Sequence, residues 1–381
     1  MEKEKHLLVV SPLYAPVCGG LPNHAEQFNA AMAAKGYRIS VFTPRVDASS
    51  LPYELKGSVY IIRFPAWEII TNYPLPRFWS PIYWRMWRSL GKENYVAVIS
   101  RTRFFFTTLL AYAFSRLHHV KWMHIEHGSG PIHLQNRFVG HIARGVDWFF
   151  SRLAFRHADI LVAVSQAGAT FMRRLVATVN IYVIYRGMEK GLVESILPDV
   201  SIRRGKEDSV FIAYVGRLVY GKGIKDLLSA LVELGDAPYV CCFIGDGPQR
   251  RHFEAEVDRL GIHEHVRFLG TKPWGETIAY MKAVDIVVNP SYTEGLPTCI
   301  VEAALCRKAI IAADVGGTGE IITGQGDGYL FPAHDRTALV KALSALVYDG
   351  EARKKMGENA FEHVVKRFSW EEASLAYSRL L

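Results

Sequence analysis

Residues 210–245, VFIAYVGRLVYGKGIKDLLSALVELGDAPYVCCFIG, contain two short apolar runs on either side of a longer amphipathic stretch. The runs VFIAYVG (210–216) and YVCCFIG (239–245) are continuously apolar, which is typical of strands that are buried on both faces of a parallel sheet. The stretch KDLLSALVELG (225–235) is predicted as the helix that connects them. The segment therefore predicts a strand–helix–strand unit with parallel strands.

The same alternation of strands and helices extends in both directions from this unit. An earlier series runs from HLLVVSP (6–12), through a helix at NHAEQFNAAMAAKG (23–36), to IYVIYRG (181–187). A polar stretch at about 190–208 is predicted as a linker. The strands predicted after the unit are VRFLG (266–270), DIVVNP (285–290), AIIAAD (309–314) and GYLF (328–331). Two successive series indicate two doubly wound α/β domains, whose strands are expected to point their carboxyl ends toward a shared cleft.

Length and composition are those of a globular protein whose first half is basic. The chain has 381 residues, of which 50% are hydrophobic, and a formal net charge of +8. Residues 1–190 hold 23 lysines and arginines against 11 acids, a balance of +12, whereas residues 191–381 hold 22 against 26, a balance of −4. The basic character therefore belongs to the predicted first domain.

The cysteines and the apolar runs indicate where the protein works. The five cysteines are odd in number and form no Cys-x-x-Cys pair, and they are Cys18, Cys241, Cys242, Cys299 and Cys306. A disulfide framework or a zinc module does not fit, which favours a reducing cytosol. The apolar run near the start is too short for a signal peptide, and no later run approaches ~18 apolar residues. We therefore expect a cytoplasmic protein that does not cross a membrane.

The loop GRLVYGKG (216–223) follows the first strand of the second series. Arg217 and Lys222 are expected at the carboxyl end of that strand, where two cationic groups can converge on a diphosphate. Two solvated charges in a surface loop would give the same pattern. The turn in IGDGPQR (244–250) lets the backbone approach a ligand, but such turns are also common strand-to-helix connections.

The segment PSYTEGLPTCIVEAALC (290–306) places two carboxylates eight residues apart. Glu294 precedes a helix that is predicted to begin near Thr298, and Glu302 lies inside it. The backbone of Gly295, Leu296 and Pro297 lies at the helix N-terminus, where free N–H groups and the helix dipole favour an anion. A solvated loop acid would explain Glu294 alone. An acid inside the apolar run IVEAALC needs a partner, because an unpaired buried carboxylate is costly.

Together these motifs resemble the retaining glycosyltransferases of family 4, which have the GT-B fold. Four motifs carry the resemblance, and they follow one another along the chain in the order of the family: GRLVYGKG (216–223), DIVVNPS (285–291), EGLPTCIVE (294–302) and FSWEEASLAYSRLL (368–381). EGLPTCIVE is the most specific of them. The resemblance implies an acceptor-binding domain at 1–190, a nucleotide-sugar-binding domain at 191–366 and a helix at 367–381 that returns to the first domain. It implies that Gly216, Gly295, Leu296 and Pro297 contact the donor, and that Glu302 holds its ribose.

The first half fits the family less tightly. CGGLPNHAEQFNAAMAAKG (18–36) resembles the Gly-Gly loop and long helix of the family, which implies that the amides of Gly19 and Gly20 contact the diphosphate. MHIEHGSG (123–130) resembles a strand that ends in His-Gly, which implies that His127 lies beside the transferred sugar. A structural histidine at a strand end is the alternative for His127. Arg186-Gly187-Met188-Glu189 stands where the family usually has Asn-Gly-Val-Asp, so no role is carried over there.

The reaction implied is the transfer of a hexose-type sugar from a UDP- or GDP-linked donor to an acceptor with retention of configuration. No carboxylate is clearly placed as a nucleophile, and the family is usually assigned a front-side path. Arg217, Lys222 and the loop amides would stabilise the leaving diphosphate, and Glu294 would orient the sugar. The chain contains no Asp-x-Asp, so we expect an enzyme without a metal or other cofactor.

The segment FPAWEIITNYPLPRFWSPIYWRMWRSL (64–90) is the main indication of the acceptor. Aromatic side chains with interleaved cations favour the headgroup region of a membrane. The candidates for this surface are Trp79, Trp84, Arg85, Trp87 and Arg88. Peripheral contact with an anionic membrane on its cytosolic face would favour a lipid-linked or glycan acceptor. The alternative is an aromatic patch that packs against its own domain. Nucleic acid is not expected, because no RNA-reading motif is present.

Three other functions fit the same residues. A soluble transferase could use a small-molecule acceptor, and a nucleotide-sugar epimerase could use none. A non-catalytic sensor would bind the donor without turning it over. The intact set of Arg217, Lys222, Glu294 and Glu302 disfavours the sensor.

Overall fold

The chain folds into two compact units, of which one is interrupted by the other. The computed structural model describes residues 5–17, 19–47, 49–70, 73–131, 137–176 and 180–381, with the backbone alone at 69–70 and 137–139. Unit 1 consists of Met1–Gly187 and Trp370–Leu381, and unit 2 of Met188–Ser369. The last helix of the chain thus belongs to the same unit as the first strand.

Unit 1 is a parallel sheet covered by helices on both faces. Its strands are β1 (His6–Val10), β2 (Arg38–Arg45), β3 (Tyr53–Lys56), β4 (Val59–Ile70), β5 (Tyr73–Pro76), β6 (Ala97–Arg101), β7 (Lys121–Glu126), β8 (Ile160–Ala163) and β9 (Ile181–Val183). Its helices are α1 (Gly20–Ala34), α2 (Pro81–Leu90), α3 (Phe106–His118), α4 (Arg137–His157), α5 (Gln166–Leu175) and, from the end of the chain, α13 (Trp370–Leu380). The strands that we predicted from apolar runs are all present.

The sheet of unit 1 has the strand order β3-β4-β2-β1-β6-β7-β8-β9, and β5 pairs with β4 outside this path. β3 and β5 are antiparallel to β4, and the other pairs are parallel. The order reverses between β1 and β6, because β2 follows on one side of β1 and β6 on the other. In doubly wound sheets this reversal opens a crevice at the carboxyl ends of the strands, where ligands bind.

One face of this sheet carries α2, α3, α4 and α5 side by side over a common core. Tyr83 of α2, Phe114 of α3 and Phe155 of α4 are buried together with strand residues such as Phe42. On the side of α1, Phe28 packs against Tyr377 of α13 with ring centroids 4.9 Å apart. Trp370 of α13 donates a hydrogen bond from Nε1 to Gln27 Oε1 at 3.1 Å. Helix α13 therefore completes the core of unit 1.

Unit 2 is a six-stranded, fully parallel sheet. Its strands are β10 (Val210–Val215), β11 (Tyr239–Ile244), β12 (Val266–Gly270), β13 (Ile286–Asn289), β14 (Ala309–Ala313) and β15 (Tyr329–Phe331). Its helices are α6 (Lys190–Ser195), α7 (Ile224–Val232), α8 (Arg250–Leu260), α9 (Trp274–Ala283), α10 (Thr298–Leu305), α11 (Arg336–Tyr348) and α12 (Gly350–Arg367). The strand order β12-β11-β10-β13-β14-β15 reverses between β10 and β13. The prediction of two doubly wound α/β domains is confirmed.

Two segments differ from their sequence-based description. The stretch at 190–208 contains α6 and a 3₁₀ turn at Val200–Arg203, so it is partly helical and belongs to unit 2. The aromatic segment 64–90 is an extended strand as well as a helix, because β4 and β5 form an antiparallel pair ahead of α2. The alternating exposure that signals a strand was masked by the aromatic and proline residues of this segment.

The described cysteines Cys241, Cys242, Cys299 and Cys306 are free thiols, and Cys18 lies outside the described residues. Within the described part of the chain, no helix has the length and apolarity that crossing a membrane would require.

Candidate active site

The predicted cationic loop of unit 2 leaves β10 at the point where the strand order reverses. Gly216 follows the strand with φ +157°, and a Cβ there would lie 2.9 Å from the Tyr214 hydroxyl. That hydroxyl donates a hydrogen bond to Arg217 O at 2.9 Å, which fixes the turn. The Arg217 side chain is exposed, and its guanidinium makes no hydrogen bond or ion pair with any described residue. Arg217 is therefore a solvent-facing cation at the carboxyl end of β10.

Glycines let two neighbouring loops touch at this edge of the sheet. A Cβ on Gly245, at the end of β11, would collide with Gly216 O. A Cβ on Gly247 would lie 2.5 Å from Leu218 O. Leu218 N donates a hydrogen bond to Asp246 O at 2.9 Å across the same contact. The Gly-Asp-Gly turn is thus required by the close approach of two backbones, whatever ligand is bound.

Lys222 and Glu294 form an ion pair with Nζ and Oε1 2.6 Å apart. The two residues come from the loops after β10 and β13, and the backbone joins these loops where Tyr292 N donates to Gly221 O at 3.0 Å. Asn289 Nδ2 is 3.4 Å from the same Glu294 oxygen. The structure thus brings two predicted residues together, and it pairs Lys222 with an acid rather than leaving it free as Arg217 is.

Glu302 is 5% exposed in the middle of α10 and has an indole partner. Trp274 Nε1, at the start of α9, donates a hydrogen bond to Glu302 Oε1 at 3.0 Å. No described group accepts a hydrogen bond from the amides of Gly295 and Leu296, which lie just before the N-terminus of α10. A carboxylate, free amides and a helix N-terminus thus lie within one short segment, as the sequence predicted.

Sequence reasoning missed three residues of this site. Trp274 holds Glu302, and Asn289 contacts both Glu294 and, at 3.8 Å, Cys299 Sγ. Burial, with the nearby Glu294 and Glu302 carboxylates, raises the pKa of the Cys299 thiol. Cys299 therefore lies between the two acids as a neutral thiol. An Asn at a strand end and a Trp at a helix start carry no signal that would have singled them out in the sequence.

The Gly-Gly loop of unit 1 leads directly into α1. Gly19 has φ +149°, and α1 begins at Gly20. Arg186 Nη1 donates to Gly20 O at 3.2 Å, and Arg186 Nη2 lies 3.4 Å from Gln27 Oε1. The arginine that replaces the asparagine of the family pattern thus holds this loop. The role of Gly19 and Gly20 toward a diphosphate stays a prediction.

His127 follows β7 and faces His24 of α1, with ring centroids 4.5 Å apart and the rings nearly perpendicular. The Nε2 atom of His127 and both ring nitrogens of His24 are buried without a hydrogen-bond partner among the described residues. Burial and the neighbouring Arg101 lower the pKa of His127 to about 3. Burial and the adjacent His127 hold the pKa of His24 well below its usual value. Both rings are neutral at pH 7.

Glu126, the acid next to His127, forms an ion pair with Arg103. Glu126 Oε1 lies 3.0 Å from Arg103 Nη1 and accepts a hydrogen bond from Gly128 N at 2.6 Å. Arg103 Nε also donates to Asp147 Oδ1 at 2.8 Å. Burial opposes ionisation of Glu126, but Arg103 and its hydrogen-bond donors lower its pKa to about 2. Glu126 and Arg103 therefore form a buried ion pair that holds the ends of β6 and β7.

The predicted aromatic surface is only partly exposed. Trp79 is 61% exposed and Trp84 42% exposed, and Arg85 and Arg88 also face solvent. Trp87 is half-buried instead and packs against the core, with its ring 5.9 Å from Phe42. Because Trp87 lies on the inner face of α2, it does not belong to the exposed surface.

Helix α4 contributes a second exposed apolar stripe that sequence reasoning missed. Ile142, Val146 and Phe149 are spaced at i, i+4 and i+7 and are 55%, 42% and 53% exposed. Trp148, also exposed, carries Arg152 over its ring at 4.7 Å. The single acid of α4, Asp147, is buried against Arg103. The helical spacing of these apolar residues is visible in the sequence, but it is equally typical of a core-facing helix.

The topology and the site together define a class of proteins, the GT-B glycosyltransferases, in which two Rossmann-like units form one chain. Residues 18–190 match the family described as "Glycosyltransferase Family 4", and residues 200–363 match "Glycosyl transferases group 1". The chain belongs to family 4 of the glycosyltransferases.

Similar proteins support this assignment along the whole chain. An uncharacterised glycosyltransferase of Methanocaldococcus jannaschii is 30% identical over 98% of this chain and 97% of its own length. The gpi3 subunit of phosphatidylinositol N-acetylglucosaminyltransferase of Schizosaccharomyces pombe is 25% identical over 95% of this chain and 77% of its own length. The crystal structure of Anabaena HepE in complex with UDP-glucose has a TM-score of 0.78 at 20% identity over 99% of both chains, which shows the fold alone.

Proposed function

We propose that this glycosyltransferase moves a hexose-type sugar from a nucleotide sugar to a lipid-linked or glycan acceptor, with retention of configuration and without a metal. The observation that carries the donor half of the proposal is the grouping of Arg217, Lys222, Glu294 and Glu302 where the strand order of unit 2 reverses. The UDP-glucose complex of the similar Anabaena protein supports a nucleotide sugar as the donor.

Each group in unit 2 matches one part of a nucleotide sugar. Glu302, held by Trp274, accepts hydrogen bonds from the two ribose hydroxyls. The amides before α10 and the dipole of the helix favour the diphosphate. Arg217 supplies a positive charge, and Lys222 supplies a second one when Glu294 turns from Lys222 to the hydroxyls of the sugar.

Catalysis is then electrostatic. Negative charge grows on the leaving diphosphate in the transition state, and Arg217, Lys222 and the loop amides are already positioned to stabilise it. The departing phosphate oxygen takes the proton of the acceptor hydroxyl as that hydroxyl attacks the same face of the sugar. His127, neutral at pH 7, donates or accepts a hydrogen bond to the sugar without adding charge.

The lipid-linked acceptor is supported by the exposed faces of α2 and α4. Both helices lie on the same face of the unit 1 sheet, with α3 between them. Phe78, just before α2, contacts Phe106 at the start of α3, with ring centroids 5.2 Å apart. The starts of α2 and α3 are therefore neighbours.

Helix α4 runs parallel to α3 and reaches beyond its start. Near the C-terminal ends of both helices, Arg116 Nη2 donates to His157 O at 2.7 Å. Counting back from this contact places Phe106 beside Asp147, so the first ten residues of α4 project about 15 Å past α3. Ile142 and Val146 lie on this projecting part, at the same end of the unit as Trp79 and Trp84.

The charge of this apolar surface is positive. Arg85 and Arg88 of α2 and Arg144 of α4 are exposed, and each cation near an anionic bilayer contributes about 1 kcal/mol to binding. Apolar side chains with flanking arginines suit the headgroup region of an anionic membrane. The similar Schizosaccharomyces pombe subunit, whose name includes phosphatidylinositol, supports an acceptor of this kind.

The donor half is tested by thermal unfolding of the wild type and Glu302→Ala with a panel of UDP-, GDP- and ADP-sugars in the presence of EDTA. We expect one donor to raise the Tm of the wild type and to lose this effect in the variant. Glu358→Ala, an exposed acid of α12, serves as a control that keeps the shift. If no sugar nucleotide or nucleoside diphosphate raises the Tm of the wild type, the proposal is wrong.

The membrane half is tested by sedimentation with vesicles of phosphatidylcholine alone or with 30% phosphatidylglycerol. We expect the wild type to sediment with the anionic vesicles, and Trp79→Ser and Phe149→Ser each to weaken sedimentation. Tyr348→Ser, at an exposed aromatic residue of unit 2, is the matched control. Equal sedimentation of all four proteins would contradict a role of α2 and α4, and absence of wild-type binding would favour a soluble acceptor.

A further inference from the structure

The reversal of strand order in unit 1 lies between β1 and β6, and Arg101 is the last residue of β6. The loop after β1 carries Tyr14, and further along it Gly19 leads into α1. Ligands of doubly wound sheets bind at this position. A charged side chain at the end of β6 is therefore in the place where unit 1 is expected to meet its ligand.

Arg101 is a buried cation that has no counter-ion among the described residues. Its side chain is 0% exposed, and its Nε, Nη1 and Nη2 atoms have no hydrogen-bond acceptor among the described residues. The guanidinium lies over the Phe28 ring, 4.7 Å from the centroid. Burial lowers the pKa of Arg101 to about 10, so the group is charged at pH 7. A buried charge without a partner is strongly unfavourable.

Arg103, two residues further along, shows what a compensated arginine looks like in the same place. Arg103 is also buried, but it pairs with Glu126 at 3.0 Å and with Asp147 at 2.8 Å. These two acids are therefore already neutralised. The part of the chain that the structure describes supplies acceptors for Arg103 and none for Arg101.

Further hydrogen-bond donors surround Arg101. The charge of Arg101 helps to lower the pKa of both His127 and His24, so the two imidazoles lie near the guanidinium. Their ring nitrogens without hydrogen-bond partners were described above. The buried hydroxyl of Tyr377 in α13 also has no partner among the described residues, and it interacts electrostatically with Arg101. The N–H groups of the guanidinium, one N–H of each neutral imidazole and the Tyr377 hydroxyl are therefore available to donate to an anion at this point.

We propose that Arg101, His127 and His24 form a subsite for an anionic group of the acceptor, a phosphate or a carboxylate close to the hydroxyl that receives the sugar. This inference rests on the proposed function, because it adds a charged group to the acceptor named there. An oxyanion would accept charge-assisted hydrogen bonds from the guanidinium and an N–H from each neutral imidazole.

The acceptor is favoured over the donor as the source of the anion. Unit 2 already offers the diphosphate of the donor a cation in Arg217 and a helix N-terminus with free amides. Because Arg101 is fully buried and its guanidinium lies over the Phe28 ring, an anion binds only with a local displacement of the side chains around it. The measured affinity includes the free energy of this displacement.

The subsite is tested by thermal unfolding in inorganic phosphate against chloride at matched ionic strength. We expect phosphate to raise the Tm of the wild type and of Arg217→Ala, and to bind Arg101→Met roughly 10- to 100-fold more weakly. Arg63→Met is the matched control, since Arg63 is equally buried but is bonded to Leu51 O, Ala15 O and Glu54. Equal phosphate shifts in the wild type and Arg101→Met, or none in the wild type, would overturn the proposal.

A second arm separates the two sources of the anion. In saturating UDP, phosphate should still raise the Tm of the wild type, because the two anions occupy different sites. If UDP abolishes the phosphate effect and Arg101→Met weakens UDP binding, the anion is the diphosphate of the donor and the acceptor assignment is wrong. If none of the nucleotides binds, the proposed function is contradicted. The phosphate shifts of the wild type and Arg101→Met would still decide whether the anion subsite exists.

The histidine resonances give a readout that a purely structural arginine would not change. Phosphate beside His127 should raise the pKa of this imidazole, seen as a change in its ¹⁵N shifts at pH 6 in the wild type and not in Arg101→Met. An unchanged His127 spectrum in saturating phosphate would place the anion elsewhere and overturn the assignment.

Discussion

The two units place basic side chains at the same topological position, the reversal of strand order, but they compensate the charge differently. In unit 2, Lys222 is paired with Glu294 at 2.6 Å and Arg217 faces solvent. In unit 1, Arg101 is buried and no described residue accepts from its guanidinium. A charge that water or a carboxylate can reach is stable in the free protein. A buried, unpaired one lowers the stability of the free protein, and an anion that binds there would offset this cost.

The largest effect is expected where the free cation acts on the reaction. Arg217→Ala should lower turnover of the donor by roughly 10²–10³-fold, by analogy with the loss of one oxyanion-hole donor. Release of nucleoside diphosphate from the donor found in the thermal panel is the measurement. Arg259→Ala, an exposed arginine paired with Glu256, should leave the rate unchanged. A reduction below tenfold in Arg217→Ala would show that Arg217 is only a solvated surface charge.

The next largest effect is on stability, and it compares the unpaired Arg101 of unit 1 with the paired Lys222 of unit 2. Arg101→Met should raise the free energy of unfolding by about 1–3 kcal/mol, because it removes a buried charge that none of the described residues compensates. Lys222→Met should lower it by about 1 kcal/mol, because Glu294, with a side chain only 12% exposed, then loses the charge of its ion-pair partner and keeps only uncharged contacts such as that with Asn289. Urea unfolding at pH 7 measures both. A loss of stability in Arg101→Met would mean that water satisfies the guanidinium in solution.

A smaller effect is expected from the neutral histidines beside Arg101. The pKa of His127 is about 3 in the folded chain and near 6.5 when unfolded, so the unfolded state takes up the proton first as pH falls. The stability from this group is complete above pH 6.5 and is lost on acidification. Between pH 7 and pH 5 we expect a loss of about 1–2 kcal/mol, and the lowered pKa of His24 acts in the same direction.

Urea unfolding of the wild type and His127→Gln at pH 7 and pH 5 checks this expectation. The variant should lose less stability over the interval, and His252→Gln, at an exposed histidine, should behave as the wild type. Glu126, whose pKa is lowered to about 2, also stabilises the fold, but its contribution is lost only when the pH falls below the usual pKa of a glutamate. It therefore does not change the stability between pH 7 and pH 5. Identical pH dependence in all three proteins would contradict the buried, neutral state of His127.

The smallest effect concerns the partner of Glu302. Trp274→Phe keeps an aromatic ring but removes the N–H that holds Oε1, so donor affinity should fall about 2- to 10-fold. Calorimetric titration with the donor gives the affinity. Glu302→Gln should weaken binding more than Trp274→Phe. The reverse order would mean that the indole, rather than the carboxylate, contacts the ribose.

The fold was predictable because its signals are local. Continuous apolar runs such as residues 210–215 and 239–244 are strands that a parallel sheet buries on both faces, and the two series of them were sufficient to predict two domains. The pair of β4 and β5 was missed because proline and tryptophan obscure the alternation there. Glu294 and Glu302 could be singled out in the sequence because their spacing around a predicted helix start is itself a pattern, and their roles toward a donor stay predictions.

The rest of the site depends on contacts that sequence distance hides. The Trp274 indole reaches Glu302 from another helix, and the pairing of Lys222 with Glu294 joins two loops. Arg101 and Arg103 look alike in the sequence, but Arg103 alone is paired with Asp147, an acid of the distant helix α4. Likewise, Trp79 and Trp87 are both tryptophans beside arginines in the sequence, and only the structure shows that the second one faces the core.

The position of α13 has a consequence for the order in which the protein is made. Trp370 and Tyr377 close the hydrophobic surface of α1, yet the ribosome reaches them only after all of unit 2 has been synthesised. Unit 2 is a single continuous segment of the chain and can fold while translation continues. Unit 1 is synthesised earlier, but Phe28 stays uncovered until α13 has been made. The nascent chain is thus exposed to chaperones and to aggregation for as long as the second half takes to emerge, and only residues 370–381 end that interval.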